Sequence, residues 1–276
     1  MSLEEFHKEI KSGKRFEFGK NWKYFLKKLN KKRIIQAEDS LKKMLDIDNL
    51  KGKTFLDVGS GSGLFSLAAR NLGAKVVSFD LDKSSVLCTE ELKERFYKNS
   101  DKWIIKHGNI LDNKFIETLG RFDYVYSWGV LHHTGNMWKA LDNIINLVKY
   151  EGVLFIALYN NQKFASKYWS IVKKTYNKIP FIRPFWFFVH FIYPTLPSIL
   201  IKYFQKRKIP RGMAVYYDLL DWLGGYPFEV STPTEIFNFY RDKGFILNQL
   251  ITVGGKLGCN EFVFYRSIEN KQINNN

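Results

Sequence analysis

Cysteine occurs only twice in the 276 residues, as Cys88 and Cys259. With no CxxC pair, the chain carries neither a disulfide framework nor a cysteine metal cluster, and no metal is expected. Glycine (19) and proline (7) are too sparse for a collagen-like or proline-rich chain. The opening stretch MSLEEFHKEI is acidic and lacks an apolar core, so no secretory signal is expected and the cytoplasm is the expected compartment. Acids are missing from one long stretch: residues 163–211 hold eleven Lys/Arg and no Asp or Glu, in a chain of net charge +16. A field of one sign attracts polyanions.

What remains suits a packed globular protein: 45 % hydrophobic and 25 % charged residues. Apolar spacing predicts a helix over 21–49, from Trp22 to Leu45. Short apolar runs at 54–58, 75–79, 103–106, 124–127 and 153–158 read as strands. Helices are predicted between them at 64–72, 83–98 and 138–148. Alternation of this kind means a parallel sheet with right-handed crossovers. A helix over 234–243 and two strands, 245–253 and 260–266, complete the sheet antiparallel. The expected fold is α/β and Rossmann-like: seven strands, mostly parallel with a C-terminal antiparallel pair, helices on both faces and a helical lid insertion. The expected division is a helical cap (1–52), a core (53–162), a basic aromatic lid (163–230) and a closing unit (231–276). The Asn-rich tail 270–276 is expected to be disordered.

Residues 179–201 are apolar and aromatic over a length that invites a transmembrane reading. Four prolines, Arg183 and His190 argue against a spanning helix, because lipid cannot replace the backbone donors that proline removes. Flanked by Lys173, Lys174, Lys178, Lys202, Lys206, Arg207 and Lys208, the segment is expected to be able to lie on an anionic membrane.

The chemistry-bearing feature is Asp57-Val-Gly59-Ser60-Gly61-Ser-Gly63, between a strand and a helix. Glycines there allow a tight turn and a close approach of backbone to a ligand. Asp80 ends the next strand, placed to accept from a ribose diol. No Lys or Arg lies in the loop, which argues against nucleotide triphosphates.

With its acid two residues ahead of the first glycine, this run resembles that of the class I S-adenosylmethionine-dependent methyltransferases. LDVGSGSG, VVSFD, GNILD and SWGVLHH are similar to the ubiquinone-type O-methyltransferases and their bacterial relatives. The resemblance covers roughly residues 20–160 and implies S-adenosylmethionine as cofactor. It implies that Gly59 and Gly61, with Ser60 and Gly63 in the same loop, lie against the methionine part, that Asp57 orients its amino end, and that Asp80 takes the ribose. Leu81 would face the adenine, with Asn109 and Ile110 at its edge. Asn109 departs from the Asp that many relatives carry, yet its carbonyl oxygen still accepts. Ser127 and Trp128 fall beside the methionine moiety, and Arg33 matches a family arginine near the cofactor.

His132 and His133 follow the fourth strand at the sheet edge where ligands bind. Either is a candidate general base for a hydroxyl acceptor, with a limb expected near the ordinary imidazole pKa; the alternative is a packing role. An already ionised acceptor needs no base. Tyr159, Asn160, Asn161, Tyr216, Tyr217, Asp221 and Trp222 are the candidate substrate residues. The expected reaction is methyl transfer to oxygen of a small anionic or sugar- or phosphate-linked acceptor, with surface-glycan pathways an analogy only. A membrane-peripheral enzyme for a lipid or quinone-type acceptor is the alternative. An RNA methyltransferase ranks third, since no RNA-binding module is present.

Overall fold

The structure, a computed structural model, describes residues 3–192 and 215–268. The expectations for residues 193–201, for Lys202, Lys206, Arg207 and Lys208, and for the tail 270–276 lie outside the described residues.

Seven strands form one sheet in the order β3-β2-β1-β4-β5-β7-β6. They are β1 (Thr54–Val58), β2 (Lys75–Asp80), β3 (Trp103–His107), β4 (Phe122–Trp128), β5 (Val148–Tyr159), β6 (Phe245–Ile251) and β7 (Cys259–Arg266). The first five are parallel, and β7 pairs antiparallel with both β5 and β6. The chain runs outward from β1 to β3, then returns to place β4 on the other side of β1. That reversal opens a crevice at the carboxyl ends of β1 and β4, where open α/β sheets take their ligands.

Alternating side chains on each strand build two cores, one on each face. Leu56 and Val58 point into the first with Leu154, Ile156, Leu141, Ile144 and Ile236. Phe55 points into the second with Phe155, Leu41, Leu67, Leu92 and Trp103. The first face is covered by α7 (Met137–Ile145) and α11 (Pro233–Arg241), the second by α3 (Lys31–Leu45), α4 (Leu64–Asn71) and α5 (Lys83–Tyr97).

The helix expected over 21–49 is two: α2 (Gly19–Lys27) and α3. Asn30 between them is extended (φ −142°), and its side chain accepts from the Arg33 amide at 3.1 Å. Asparagine bonds its own neighbourhood in preference to continuing a helix, so it starts a new one. Two short helices escaped the sequence reading, α1 (Leu3–Lys11) and α6 (Asn113–Glu117). The helix expected over 138–148 stops at Ile145, and β5 takes up the chain from Val148.

Between β5 and α11 the chain leaves the sheet to build a lid: α8 (Phe164–Lys178), a 3₁₀ turn (Pro180–Ile182), α9 (Arg183–His190) and α10 (Val215–Gly224). The lid has its own core of Trp169, Val172, Tyr176, Leu219 and Leu223. Its exit and re-entry points meet. Asn160 and Ser231 form an isolated parallel bridge, the Ser231 amide donates to the Tyr159 carbonyl, and the Asn161 amide donates to the Ser231 carbonyl, both at 3.0 Å. Among the described residues no helix is long and apolar enough to cross a membrane.

Core burial and surface exposure give a direct comparison. Leu141→Ala removes a fully buried side chain and is expected to lower unfolding free energy by about 2–5 kcal/mol. Leu87→Ala, at 55 % exposure, is expected to change it by less than about 0.5 kcal/mol. Urea denaturation of both variants checks the assignment of inside and outside.

Candidate active site

The turn after β1 is held in a left-handed conformation at Gly59 (φ 78°), Gly61 (φ 54°) and Gly63 (φ 79°). Such angles are strained for residues with a Cβ. Space is short as well, since a Cβ at Gly61 would lie 2.9 Å from the Trp22 indole. Asp57 shares a strand face with Phe55, which turns its carboxyl toward α4, where Ser66 Oγ donates to it at 2.5 Å. Ser66 is linked to Ser78 (2.7 Å), and Trp103 Nε1 donates to Ser78 Oγ (2.9 Å). At the end of β2, Asp80 accepts from the amides of Gly61 and Asp82, each at 2.9 Å. Burial pushes both carboxyls up to about 7, in Asp57 with the nearby Asp80 charge adding to it.

Beyond β4 the chain makes a 3₁₀ turn, Leu131–His133. His133 Nδ1 donates to the Pro227 carbonyl at 2.6 Å, which leaves Nε2 as the lone-pair nitrogen. Burial, together with the charges of Lys173 and Arg15, lowers its pKa to about 3. His132 is fully buried, and its Nδ1 accepts from the Tyr159 amide at 3.2 Å while its ring lies 3.9 Å from that of Tyr159. Its pKa is held well below the ordinary imidazole value by burial, then by His133 and Lys173.

The N-terminal residues form a strap across this loop. Arg15 donates from its two terminal nitrogens to the His133 (2.9 Å) and Thr134 (3.2 Å) carbonyls and pairs with Glu9 at 2.9 Å. Phe18 sets its ring 5.0 Å from that of His133, and the Phe16 amide donates to the Tyr226 carbonyl at 2.9 Å. The Gly19 amide donates to Asp82 at 2.8 Å. From the lid side, Glu229 accepts from the Gly135 and Met137 amides, and its own amide donates to the His132 carbonyl.

Strap, glycine turn, histidine loop and lid enclose one cavity of about 800 Å³. Of the sequence-predicted residues, Arg33, Asp57, Gly59, Ser60, Gly61, Asp80, Leu81, Asn109, Ile110 and Trp128 line it, as do His133, Tyr159 and Trp222. Five others stand outside its lining. Gly63 caps α4. Ser127, fully buried, donates to the Val58 carbonyl at 3.1 Å. His132 lies behind Tyr159. Asn160 is spent on the Gly254 carbonyl (2.9 Å) and on Asn260 (3.0 Å), and Asn161 accepts from the Lys163 amide (2.9 Å). Tyr216, Tyr217 and Asp221 lie on α10, with side chains outside the described set. Asn109 uses its carbonyl oxygen on the Leu111 amide (2.9 Å), an interaction its sequence position did not disclose.

The sequence reading missed Arg15, Phe16, Phe18 and Trp22, all in the lining. Aromatics crowded between Gly13 and Trp22 were the available signal. Lys173 was also passed over as part of a basic run. It is fully buried, its ammonium donates to the Trp222 carbonyl, and it lies 4.3 Å from the Trp222 ring centroid and 5.0 Å from that of Phe228. Among the described residues, no cluster of His, Cys, Asp or Glu has the makings of a metal site.

Residues 29–189 match the family described as "Methyltransferase domain". A curated relative, the ubiquinone biosynthesis O-methyltransferase of Glaesserella parasuis, is 29 % identical over 148 residues, covering 50 % of this chain and 62 % of the relative. The chain thus spans less than two thirds of that relative's length. Among solved structures, magnesium protoporphyrin IX methyltransferase from Synechocystis PCC 6803 with bound SAH is similar at a TM-score of 0.51 and 16 % identity, covering 84 % of this chain and 83 % of that one. A putative S-adenosylmethionine-dependent methyltransferase from Listeria monocytogenes is similar at 0.53 and 16 %, covering 84 % and 99 %. At these identities the structures speak for the fold.

The buried carboxyls and imidazoles make opposite contributions to stability in acid. Asp57 and Asp80 bind protons more tightly folded than unfolded, so between about 3.8 and 7 acidification stabilises through them. His133 binds protons more weakly folded, so its contribution is present above the unfolded value near 6.5 and is lost as pH falls toward about 3. Relative to the wild type, His133→Gln is expected to gain stability as pH is lowered from 6.5 to about 4, and Asp57→Asn to lose it. The limiting slope is about 1.4 kcal/mol per pH unit for each proton. Thermal melts over this range read both signs.

Proposed function

The chain belongs to the methyltransferase domain family, and from that premise we propose that it methylates a hydroxyl oxygen of a small, largely apolar acceptor such as a quinone precursor. Its cofactor is S-adenosylmethionine, which when bound supplies an electrophilic methyl group on a cationic sulfur. The residues fit that group. The left-handed glycine turn leaves backbone where a Cβ would collide with Trp22, and two carboxyls with no cation in the turn suit a positively charged ligand better than a phosphate. Asp57 would meet the amino end, Asp80 the ribose, and Leu81 and Ile110 the base.

The acceptor reading rests on one observation. Beyond the cofactor residues, the cavity is walled by Phe16, Phe18, Tyr159, Trp222 and His133, and among the described residues no lysine lines it. Of the basic lid residues on which the expectation of an anionic acceptor stood, the described ones (Lys163, Lys167, Lys173, Lys174, Lys178 and Arg183) are not part of this lining. The name of the Glaesserella parasuis relative agrees with an oxygen acceptor of quinone type. Arg15 and Arg33 also line the cavity and favour the second reading, an acceptor bearing a phosphate or carboxylate.

In this mechanism the protein supplies alignment and dryness. Nδ1 of His133 is committed to the Pro227 carbonyl, so Nε2 accepts the hydrogen bond of the acceptor hydroxyl and aims its oxygen. With a pKa near 3 the imidazole stays neutral at any working pH. It is therefore always competent as acceptor; being a weak base, it would take the hydroxyl proton only as the oxygen gains the methyl group and the O–H turns strongly acidic, and would then release that proton to water. Trp222 and Tyr159 keep water from competing for the methyl group.

Asp80→Ala is expected to weaken S-adenosylmethionine binding by about 1–3 kcal/mol, and Gly61→Val to abolish it by steric block. Wild-type affinity in both variants, read by calorimetry, would contradict the cofactor site. A bound cation also draws the carboxyl pKa values down from about 7, so binding releases protons and affinity is expected to rise as pH is raised through neutrality. Calorimetry in buffers of different ionisation enthalpy reads the released protons directly.

His133→Ala is expected to lower kcat on a phenolic acceptor by roughly 10²–10⁴-fold with cofactor affinity retained. In the wild type, with cofactor saturating, no imidazole limb is expected in kcat near pH 6.5, against the sequence-based expectation. An acceptor that is already anionic would leave kcat of the variant nearly intact, and this separates the two readings.

A further inference from the structure

The lid turns two rows of large apolar side chains to solvent. Along the 3₁₀ turn and α9 they are Phe181, Phe185, Phe188 and Ile192, at intervals of four, three and four residues, which is one face of a helix. Phe181 is 86 % exposed and Phe188 63 %. The inward face of α9 is already occupied: Trp186 Nε1 donates to Thr175 Oγ1 at 2.9 Å, His190 Nε2 accepts from the Tyr168 hydroxyl at 3.0 Å, and Phe187 and Phe191 pack on the lid core. Those bonds join the start of α9 to the end of α8 and the end of α9 to its start, so the two helices are antiparallel. On α8 the exposed large side chains are Phe164 (85 %), Tyr168 (45 %) and Ile171 (60 %), with Lys163, Lys167, Lys174 and Lys178 interleaved.

Exposed aromatics of this number are costly to leave in water, and a contiguous apolar face on a soluble domain marks a contact surface. Its charge names the partner. Residues 163–192 contain no acid, so every charge these elements carry themselves is basic, from Lys163, Lys167, Lys174, Lys178 and Arg183. A second copy of the same face would set lysine against lysine. A single-stranded nucleic acid would use the rings as stacking platforms, but Ile171 and Ile192 in the same rows have no face for a base. Apolar rows edged by cations match the boundary between acyl chains and anionic headgroups. We propose that the exposed face of α8 and α9 docks on an anionic lipid surface. The inference stands whatever the acceptor, since none of these residues lines the cavity.

The full-length protein is tested by co-sedimentation with vesicles of phosphatidylcholine, with and without phosphatidylglycerol, at about 0.05 M and about 0.5 M salt. Binding to the anionic vesicles that weakens at the higher salt is expected. Phe181→Ser combined with Phe188→Ser is expected to cut partitioning at least roughly tenfold, since each ring is worth well over one decade when buried. Lys167→Glu with Lys174→Glu is expected to remove the preference for phosphatidylglycerol. All four positions are exposed, so cofactor affinity and melting temperature are expected to hold and to certify the fold. Indifference to lipid charge, or wild-type partitioning of the double phenylalanine variant, would overturn the proposal. So would light scattering that finds a dimer without vesicles which the same phenylalanine changes dissociate, or binding to an RNA oligonucleotide in place of vesicles.

Discussion

Two carboxyls at the carboxyl edge of a sheet, one buried and one half-buried, are the constraint around which the site is built. A carboxylate taken out of water is expensive unless hydrogen bonds or an opposite charge meet it. Asp57 is met by the hydroxyl of Ser66, which is itself held by Ser78 and so by the indole of Trp103. Asp80 is met by two backbone amides, one of them from the glycine turn. These contacts do not fully offset the burial, which is why both groups titrate near 7. In the cofactor role proposed for them, that deficit is what a cationic ligand would remove, so the cost of burying the carboxyls and the affinity for the ligand would have the same origin.

The second organising device is the strap. Arg15 is separated by well over a hundred residues from the carbonyls it holds, and those carbonyls belong to the turn that carries His133. Each guanidinium contact fixes the loop from one side while Glu229 fixes it from the other. The imidazole is thereby presented to the cavity with one nitrogen occupied and one available.

Most of the fold was legible in the sequence, because its signals are local. TFLDV followed by glycines can only be a buried strand entering a tight turn, and Asp80 closes the next strand at a spacing set by one helix. Helix boundaries failed where a single side chain decided them, as Asn30 does in splitting the expected helix over 21–49. Within the site, the sequence named both histidines but had no means of choosing between neighbours. The choice depends on a 3₁₀ turn that sends His132 behind Tyr159 and His133 into the cavity. Asn160 and Asn161 followed a strand end, as ligand-binding residues often do, yet they are used to fasten the lid and the last two strands. Arg15 was beyond reach, since nothing within its own stretch of chain records partners so distant in sequence, and the crowded aromatics beside it signalled packing without saying against what.

The bridge between Asn160 and Ser231 has an evolutionary consequence. The lid departs and returns at points that already touch, so the sheet senses a closed junction, and of the excursion itself the crevice is held only through the re-entry residues Tyr226, Pro227 and Glu229 and the wall residue Trp222. The free energy of closing such an excursion grows only with the logarithm of its length. Lengthening, shortening or replacing the segment therefore costs the core little, while it changes the walls that face the acceptor and the face turned outward. The cavity wall that the lid supplies and its outward face can thus diverge together in a single module, with the sheet left nearly untouched.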